Sequence, residues 1–208
     1  MGSFLLVGGS SDIGLGLCER LVENQHKVII VARDETRLKN LNDDSVVKII
    51  GDANNEDLIK EAVVLATESG EGKIDGVAHL VGSLALRPPH AMKLEAFEEV
   101  IKTNLTSAFV TLSIACKQML RNGGGRVVFT SSVAGSLGLV NHEAISAAKG
   151  GVESMVRSAA ATYSRRGIRV NAVAPGLTDT RLSYPITKSE NSKKAAVDRI
   201  PINRINEA

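Results

Sequence analysis

The chain has 208 residues, 43% hydrophobic and 23% charged, the balance of a soluble globular protein with a sizeable core. A net charge of +2, aromatics at 3% and no Trp leave neither a basic footprint nor stacking platforms, so nucleic acid is excluded as the expected partner. No apolar run reaches the roughly 20 residues of a membrane span, and Leu6 stands where an N-myristoylation signal after Met1-Gly2 needs Ser or Thr; the expectation is a cytoplasmic protein with no membrane partner.

The predicted elements alternate in type along the chain. They run strand Phe4–Val7, helix Ile13–Glu23, strand Lys27–Ala32, helix Glu35–Leu41, strand Val46–Ile50, helix Glu56–Glu68, strand Gly76–Leu80, helix Leu94–Leu120, strand Arg126–Thr130, helix Ala144–Ser164 and strand Ile168–Val173. The strands are short, rich in Val and Ile and mostly continuously apolar, as strands buried on both faces should be. This alternation predicts a Rossmann-type α/β fold, a doubly wound parallel sheet with helices on both faces. Gly70–Gly72, Gly123–Gly125 and Gly167 punctuate the joints, and no linker or repeat divides the chain, so residues 1–208 read as one domain. After Pro175 the segment "LTDTRLSYPITKSENSKKAAVDRIP" is polar and weakly periodic, which predicts an excursion over the ligand edge of the sheet. Cys18 and Cys116 both fall in apolar helical patterns and read as small buried hydrophobes rather than a disulfide. The four histidines are scattered with no second ligand nearby, so no metal site is expected.

The first strand runs into "VGGSSDIGLG". The spacing does not fit G-x-G-x-x-G, because Glu19 occupies the third glycine position when Gly14 and Gly16 are taken as the first two. Gly8 and Gly14 are the glycines expected to matter. A glycine turn between a first strand and a helix start lets backbone N–H groups approach a pyrophosphate, and the helix dipole favours its charge. Ser10 and Ser11 add hydroxyl donors.

With this loop the chain resembles the short-chain dehydrogenase/reductase family over nearly its whole length. The family's Thr-Gly-x-x-x-Gly-x-Gly falls on Val7, Gly8, Asp12 and Gly14, with Val7 in place of Thr and Asp12 in place of the middle Gly. An aspartate there would repel a pyrophosphate, so Asp12 is expected to point away and cap the helix. Of the family's Asn-Asn-Ala-Gly, only Gly82 survives in His79-Leu80-Val81-Gly82. Asn104 in "IKTNLTSAF", Ser132 in "TSSVAG" and Pro175-Gly176 in "NAVAPG", with Thr180 downstream, match the family's remaining motifs. The resemblance implies an NAD(P)-dependent oxidoreductase whose cofactor also meets Ile13, Asp52, Ala53 and Thr178, with Asp52 beside the adenine. At the discriminating position at the end of the second strand stands neutral Ala32, followed by Arg33, which could pair with a 2′-phosphate. This favours NADP(H) over NAD(H), although Asp34, two positions on, would restore an NAD-type acid.

In the family, a tyrosine four residues before the lysine transfers the substrate proton, the lysine lowers its pKa and holds the nicotinamide ribose, the serine steadies the carbonyl and the asparagine shapes a water relay. Ser132, Lys149 and Asn104 are present, but Ile145 stands at the tyrosine position. Residues four apart on a helix lie about 40° apart and roughly 6 Å along the axis, and residues seven apart return to the same face at roughly 10 Å. His142, seven before Lys149, is therefore the nearest titratable replacement, with an ordinary pKa of about 6.5 suited to proton transfer. The family's enoyl-reductase branch places its tyrosine at that same spacing, although it usually lacks the serine kept here. The other reading of His142 is a solvated residue before the helix. Glu143 reads as an acid favoured by the helix dipole, Ser146 with Lys149 as a coincidental Ser-x-x-Lys, Tyr163 as packing, and Tyr184 as a residue that could swing over the nicotinamide.

The resulting expectation is a reductase of a carbonyl or activated C=C in a small, largely apolar substrate. The alternative is an inactive NADPH-binding sensor or scaffold. Family members run on past "RIPINRINEA" into a further helix and a seventh strand, which this chain is expected to lack. A homotetramer or homodimer built on the two long helices is also implied.

Overall fold

The computed structural model describes residues 1–208. Six parallel strands, β1 (Ser3–Val7), β2 (Lys27–Ala32), β3 (Val46–Ile50), β4 (Gly76–His79), β5 (Gly125–Thr130) and β6 (Ile168–Val173), lie in the order β3-β2-β1-β4-β5-β6. The order reverses between β1 and β4, so the crevice at their carboxyl ends is the switch point where ligands bind in such sheets. The helices are α1 (Asp12–Glu23), α2 (Glu56–Ser69), α3 (Leu94–Ile101), α4 (Ser107–Arg121), α5 (Glu143–Tyr163), α6 (Tyr184–Thr187) and α7 (Glu190–Val197).

Alternation along the strands divides the core into two layers. Leu5, Val7, Ile29, Val31, Val77, Val127, Phe129, Ile168 and Val170 face α2, α4 and α5, whose Ile59, Ala62, Ala115, Met119, Val152 and Val156 pack against them. Leu6, Val28, Ile30 and Ala32 face the other way, onto Cys18 of α1 and Leu38. Both cysteines are free and fully buried, and burial pushes their thiols up to about 11. The second layer stops at the middle of the sheet: Arg126, Val128, Arg169, Asn171 and Val173 of β5 and β6 remain exposed. The expectation of burial on both faces therefore holds for β1 and β2 and fails for β5 and β6. No helix is long and apolar enough to cross a membrane.

Two expected elements differ, and the segment after Pro175 gains detail. Residues 35–41 form only a 3-10 turn, Glu35–Leu38, capped by Asp34, whose Oδ1 accepts from the Thr36 N–H at 2.9 Å. The segment after Pro175 carries the two short helices α6 and α7, and its end folds back so that Asn206 bridges Thr178. The single helix expected over Leu94–Leu120 is interrupted by a π turn at Lys102–Thr106. There Asn104 Nδ2 donates to the Val100 carbonyl at 2.9 Å, and Ser107 Oγ donates to the Thr103 carbonyl at 2.6 Å. Side chains that take carbonyls four residues back compete with the regular ladder and widen the turn.

Candidate active site

At the end of β1 the chain turns with Gly8 at φ +83°, a left-handed conformation that glycine adopts without steric cost. The Gly8 N–H donates to the Val31 carbonyl at 2.8 Å. A Cβ on Gly8 would lie 2.8 Å from Val81 N, so this turn and the one after β4 touch through their backbones. A Cβ on Gly14 would lie 2.7 Å from the Gly9 carbonyl oxygen. Gly14 thus lets α1 close on the turn. The helix cap differs from expectation: Ser11, not Asp12, caps α1, its Oγ accepting from Gly14 N at 3.1 Å. Asp12 lies one residue inside and pairs with Arg181. The N–H groups of Asp12 and Ile13 find no acceptor in the protein, which leaves the orphan donors of a helix start available to an anion.

From this turn a cleft runs across the ends of β2 and β3, lined by Ser10, Ser11, Ala32, Arg33, Asp34, Arg37, Asp52, Ala53, Asn54 and Gly82. Arg33 is exposed at its rim, and Arg37, half-buried one turn on, was missed in the sequence. The i, i+4 spacing in "RDETR" was the available signal. The Asp34 carboxylate is occupied by its cap, with Thr36 Oγ1 donating to it at 2.6 Å. Asp52 accepts from the Asn54 N–H at 2.8 Å; this bond, with Asn54's side chain and the charges of Arg33 and Lys102, outweighs burial and holds its carboxyl below the ordinary range. Asn54 Oδ1 is buried without a partner. Free N–H groups at one end, arginines beside them and an unpaired amide oxygen at the other suit the phosphates and base of a dinucleotide.

Beyond Gly82 the site becomes a buried polar nook. Lys149 on α5 is only 5% exposed. Its Nζ donates to the Thr130 carbonyl at 2.7 Å and, more weakly, to that of Val81 at 3.5 Å. Burial pulls the lysine down to about 8. A Cβ on Gly82 would sit 3.6 Å from Lys149 Nζ and 3.3 Å from Asn104 Oδ1, so these three residues converge. Asn104 is held by the Ser83 N–H, Ser83 Oγ and the Val100 carbonyl. Ser132 follows β5, its Oγ accepting from Ala134 N at 3.2 Å, and the next N–H, of Val133, donates to the Pro175 carbonyl at 3.1 Å. Gly176 and the buried Thr178 continue from there, and Thr180 packs on Ser183. Two residues invisible to motif reading support this end. Glu153 on α5 accepts from Ser131 Oγ at 2.7 Å and Ser136 Oγ at 2.8 Å, clamping the loop after β5 onto the helix. His79, fully buried at the end of β4, lies 3.1 Å from Ser107 Oγ through Nε2. Burial, with the charge of Lys149, pulls it down to about 3, so it is neutral.

Ile145 is buried among Val100, Ala134, Ala144 and Ala148. The helix begins at Glu143, so the helical count from Lys149 reaches His142 only at its cap. His142 is partly exposed, and its Nδ1 lies 2.8 Å from the Val140 carbonyl. A carbonyl only accepts, so Nδ1 carries the proton and Nε2 is left free. Tyr163 packs against the main core, whereas Tyr184 is 63% exposed at the start of α6.

A parallel sheet with a glycine turn and a cleft at its switch point defines a dinucleotide-binding α/β protein. Residues 3–191 match the short chain dehydrogenase family. The 3-oxoacyl-[acyl-carrier-protein] reductase MabA of Mycobacterium tuberculosis is 34% identical over 203 residues, 98% of this chain and 79% of its own length. Levodione reductase of Leifsonia aquatica is 33% identical over 211 residues, 96% of this chain and 79% of its own. Among solved structures, a short-chain type dehydrogenase/reductase from Mycobacterium ulcerans superimposes with a TM-score of 0.90 at 29% identity, covering 99% of this chain and 78% of that one. A variant actinorhodin polyketide ketoreductase with NADPH gives 0.90 at 27% identity, covering 99% and 85%. The chain belongs to the short-chain dehydrogenase/reductase family of NAD(P)-dependent oxidoreductases.

Proposed function

We propose that this protein is an NADP(H)-dependent reductase of a carbonyl or activated C=C group in a small, largely apolar substrate. The observation that carries the reading is the convergence of Lys149, Asn104 and Gly82 in a buried nook that adjoins the phosphate-binding cleft. The bound cofactor would supply the hydride. Gly8, Ser10, Ser11, Ile13 and Gly14 form the phosphate turn, Arg33 meets the 2′-phosphate, and Asp52 and Ala53 flank the base. Lys149 holds the nicotinamide ribose, while Pro175, Gly176, Thr178 and Thr180 border the nicotinamide end. Ser132 steadies the acceptor oxygen, and Asn104 orders water between itself and Lys149. His142, once protonated on its free Nε2 to the imidazolium, or a water near Ser132 and Lys149, delivers the proton that Ile145 cannot. Relatives named as reductases of oxo compounds support a carbonyl acceptor. The long α4 exposes Phe109, which supports association of subunits through that helix.

Oxidation of NADPH against a panel of ketones, quinones and enoyl thioesters tests the reading. If His142 is the donor, His142→Phe lowers turnover by about 10²–10⁴-fold and leaves NADPH affinity unchanged. Unaltered turnover in that variant removes histidine and leaves water or Tyr184. A second reading, a cofactor-binding sensor or scaffold, is supported by the packing of Ile145 in an apolar cluster, at the position where the resemblance implies the family's proton donor. Cofactor binding without oxidation by any acceptor would decide for it.

A further inference from the structure

Asp12 stands in the first turn of α1, beside the N–H groups that no protein atom satisfies. Its Oδ1 lies 2.5 Å from Arg181 Nη2, and its Oδ2 accepts the Arg181 backbone N–H at 2.8 Å. The same Nη2 donates to the Ser10 carbonyl at 3.3 Å. Three contacts thus fasten the segment after β6 to the phosphate turn. Burial alone would push the Asp12 carboxyl up; the hydrogen bonds and charge of Arg181, with a contribution from Arg37, hold it below the ordinary range instead. The carboxylate is therefore ionised at neutral pH, and a bare carboxylate here would oppose the negative charge of a pyrophosphate.

We propose that Arg181 is a positioning residue for the cofactor: its guanidinium cancels the Asp12 charge inside the phosphate turn and makes that turn fit for an anion. The inference rests on the dinucleotide reading above. It makes the affinity of the first βα turn depend on a side chain carried by the C-terminal segment. Docking of that segment and binding of the cofactor are then linked, each favouring the other by the same factor.

A latch with a merely structural role would break equally from either side, whereas charge cancellation predicts opposite effects for the two partners. Calorimetric titration with NADPH, on variants whose thermal melts show them folded, separates these. Arg181→Ala leaves Asp12 uncompensated and should weaken binding about five- to thirtyfold, a loss that shrinks in molar salt. Asp12→Asn removes the repulsion and should bind at least as tightly as the unaltered protein. Combining the two substitutions should recover most of the loss, and Arg181→Lys, which keeps the charge, should retain most of the affinity. Equal weakening by Asp12→Asn and Arg181→Ala, or equal affinity in every variant, overturns the inference while leaving the dinucleotide reading intact. An unaltered protein that binds neither NADPH nor NADH overturns both.

Discussion

Under the proposed function the cleft has a phosphate end and a proton end, and the two are built from different materials. At the phosphate end the backbone supplies the recognition: a positive-φ glycine, a helix start with unsatisfied N–H groups, and arginines at a wet rim. At the proton end side chains supply it, and they are buried: Lys149, Asn104 and His79 are each 5% exposed or less. Substitutions at the two ends should therefore register in different measurements. Backbone recognition is set by conformation and long-range charge, so changes there move affinity and its salt dependence. A desolvated side-chain cluster sets protonation states, so changes there move rates, pH profiles and stability.

The largest expected effect tests the proton end. Lys149→Ala should lower turnover about 10²–10⁴-fold and weaken NADPH binding as well; a loss confined to affinity would erase the distinction between the two ends. Next comes the rim. Arg33→Ala should remove most of a preference for NADPH over NADH, a charge-assisted contact of about 1.5–3 kcal/mol, or roughly ten- to more than a hundredfold. Titration with both cofactors measures it, and a residual preference would point to Arg37, which lines the same cleft. Gly8→Ala sharpens the claim that the phosphate end is a backbone device. Forcing a Cβ into a left-handed residue that touches Val81 should cost about 1–3 kcal/mol of stability in denaturant titration, together with lost cofactor binding. A fully stable variant that still binds would show that the turn can relax.

The smallest effect probes His79. Its folded pKa of about 3 lies below its ordinary 6.5, so between those values the unfolded chain binds the extra proton. Stability is therefore complete above about pH 6.5 and falls as the pH drops through that window, by about 1 kcal/mol at about pH 5.5. His79→Asn should flatten the fall in a denaturant series across pH. The same slope in both proteins would assign the acid sensitivity elsewhere.

Much of this contrast could be read in the sequence, and its limits have physical causes. Strand boundaries came within a residue because Val- and Ile-rich runs between glycines have few other solutions. The glycine turn after β1 could be located because a tight strand-to-helix turn needs glycines in a local pattern. The partners of Asp12 could not be found, because Arg181 is 169 residues away and only the fold brings it back. Glu153 and His79 were invisible for the same reason: each acts through neighbours on other elements, and neither belongs to a local motif. Reading Leu94–Leu120 as one helix failed because periodicity registers apolar faces, whereas Asn104 and Ser107 act on the hydrogen-bond ladder. The placement of His142 rests on a helical count from Lys149, and the helix begins one residue later, at Glu143, with His142 at its cap.

The π turn at Lys102–Thr106 sets the phase between two helices. α3 and α4 are effectively one rod with an extra residue spliced in, and each residue of an α-helix turns the chain by about 100°. Deleting one residue within the widened turn should yield a more regular helix and a worse protein: α4 would rotate by about that angle, carrying Ala115, Cys116 and Met119 off the sheet. Asn104 is thus aimed by the number of residues around it as much as by its own chemistry, a constraint on chain length in this stretch that substitutions alone would never reveal.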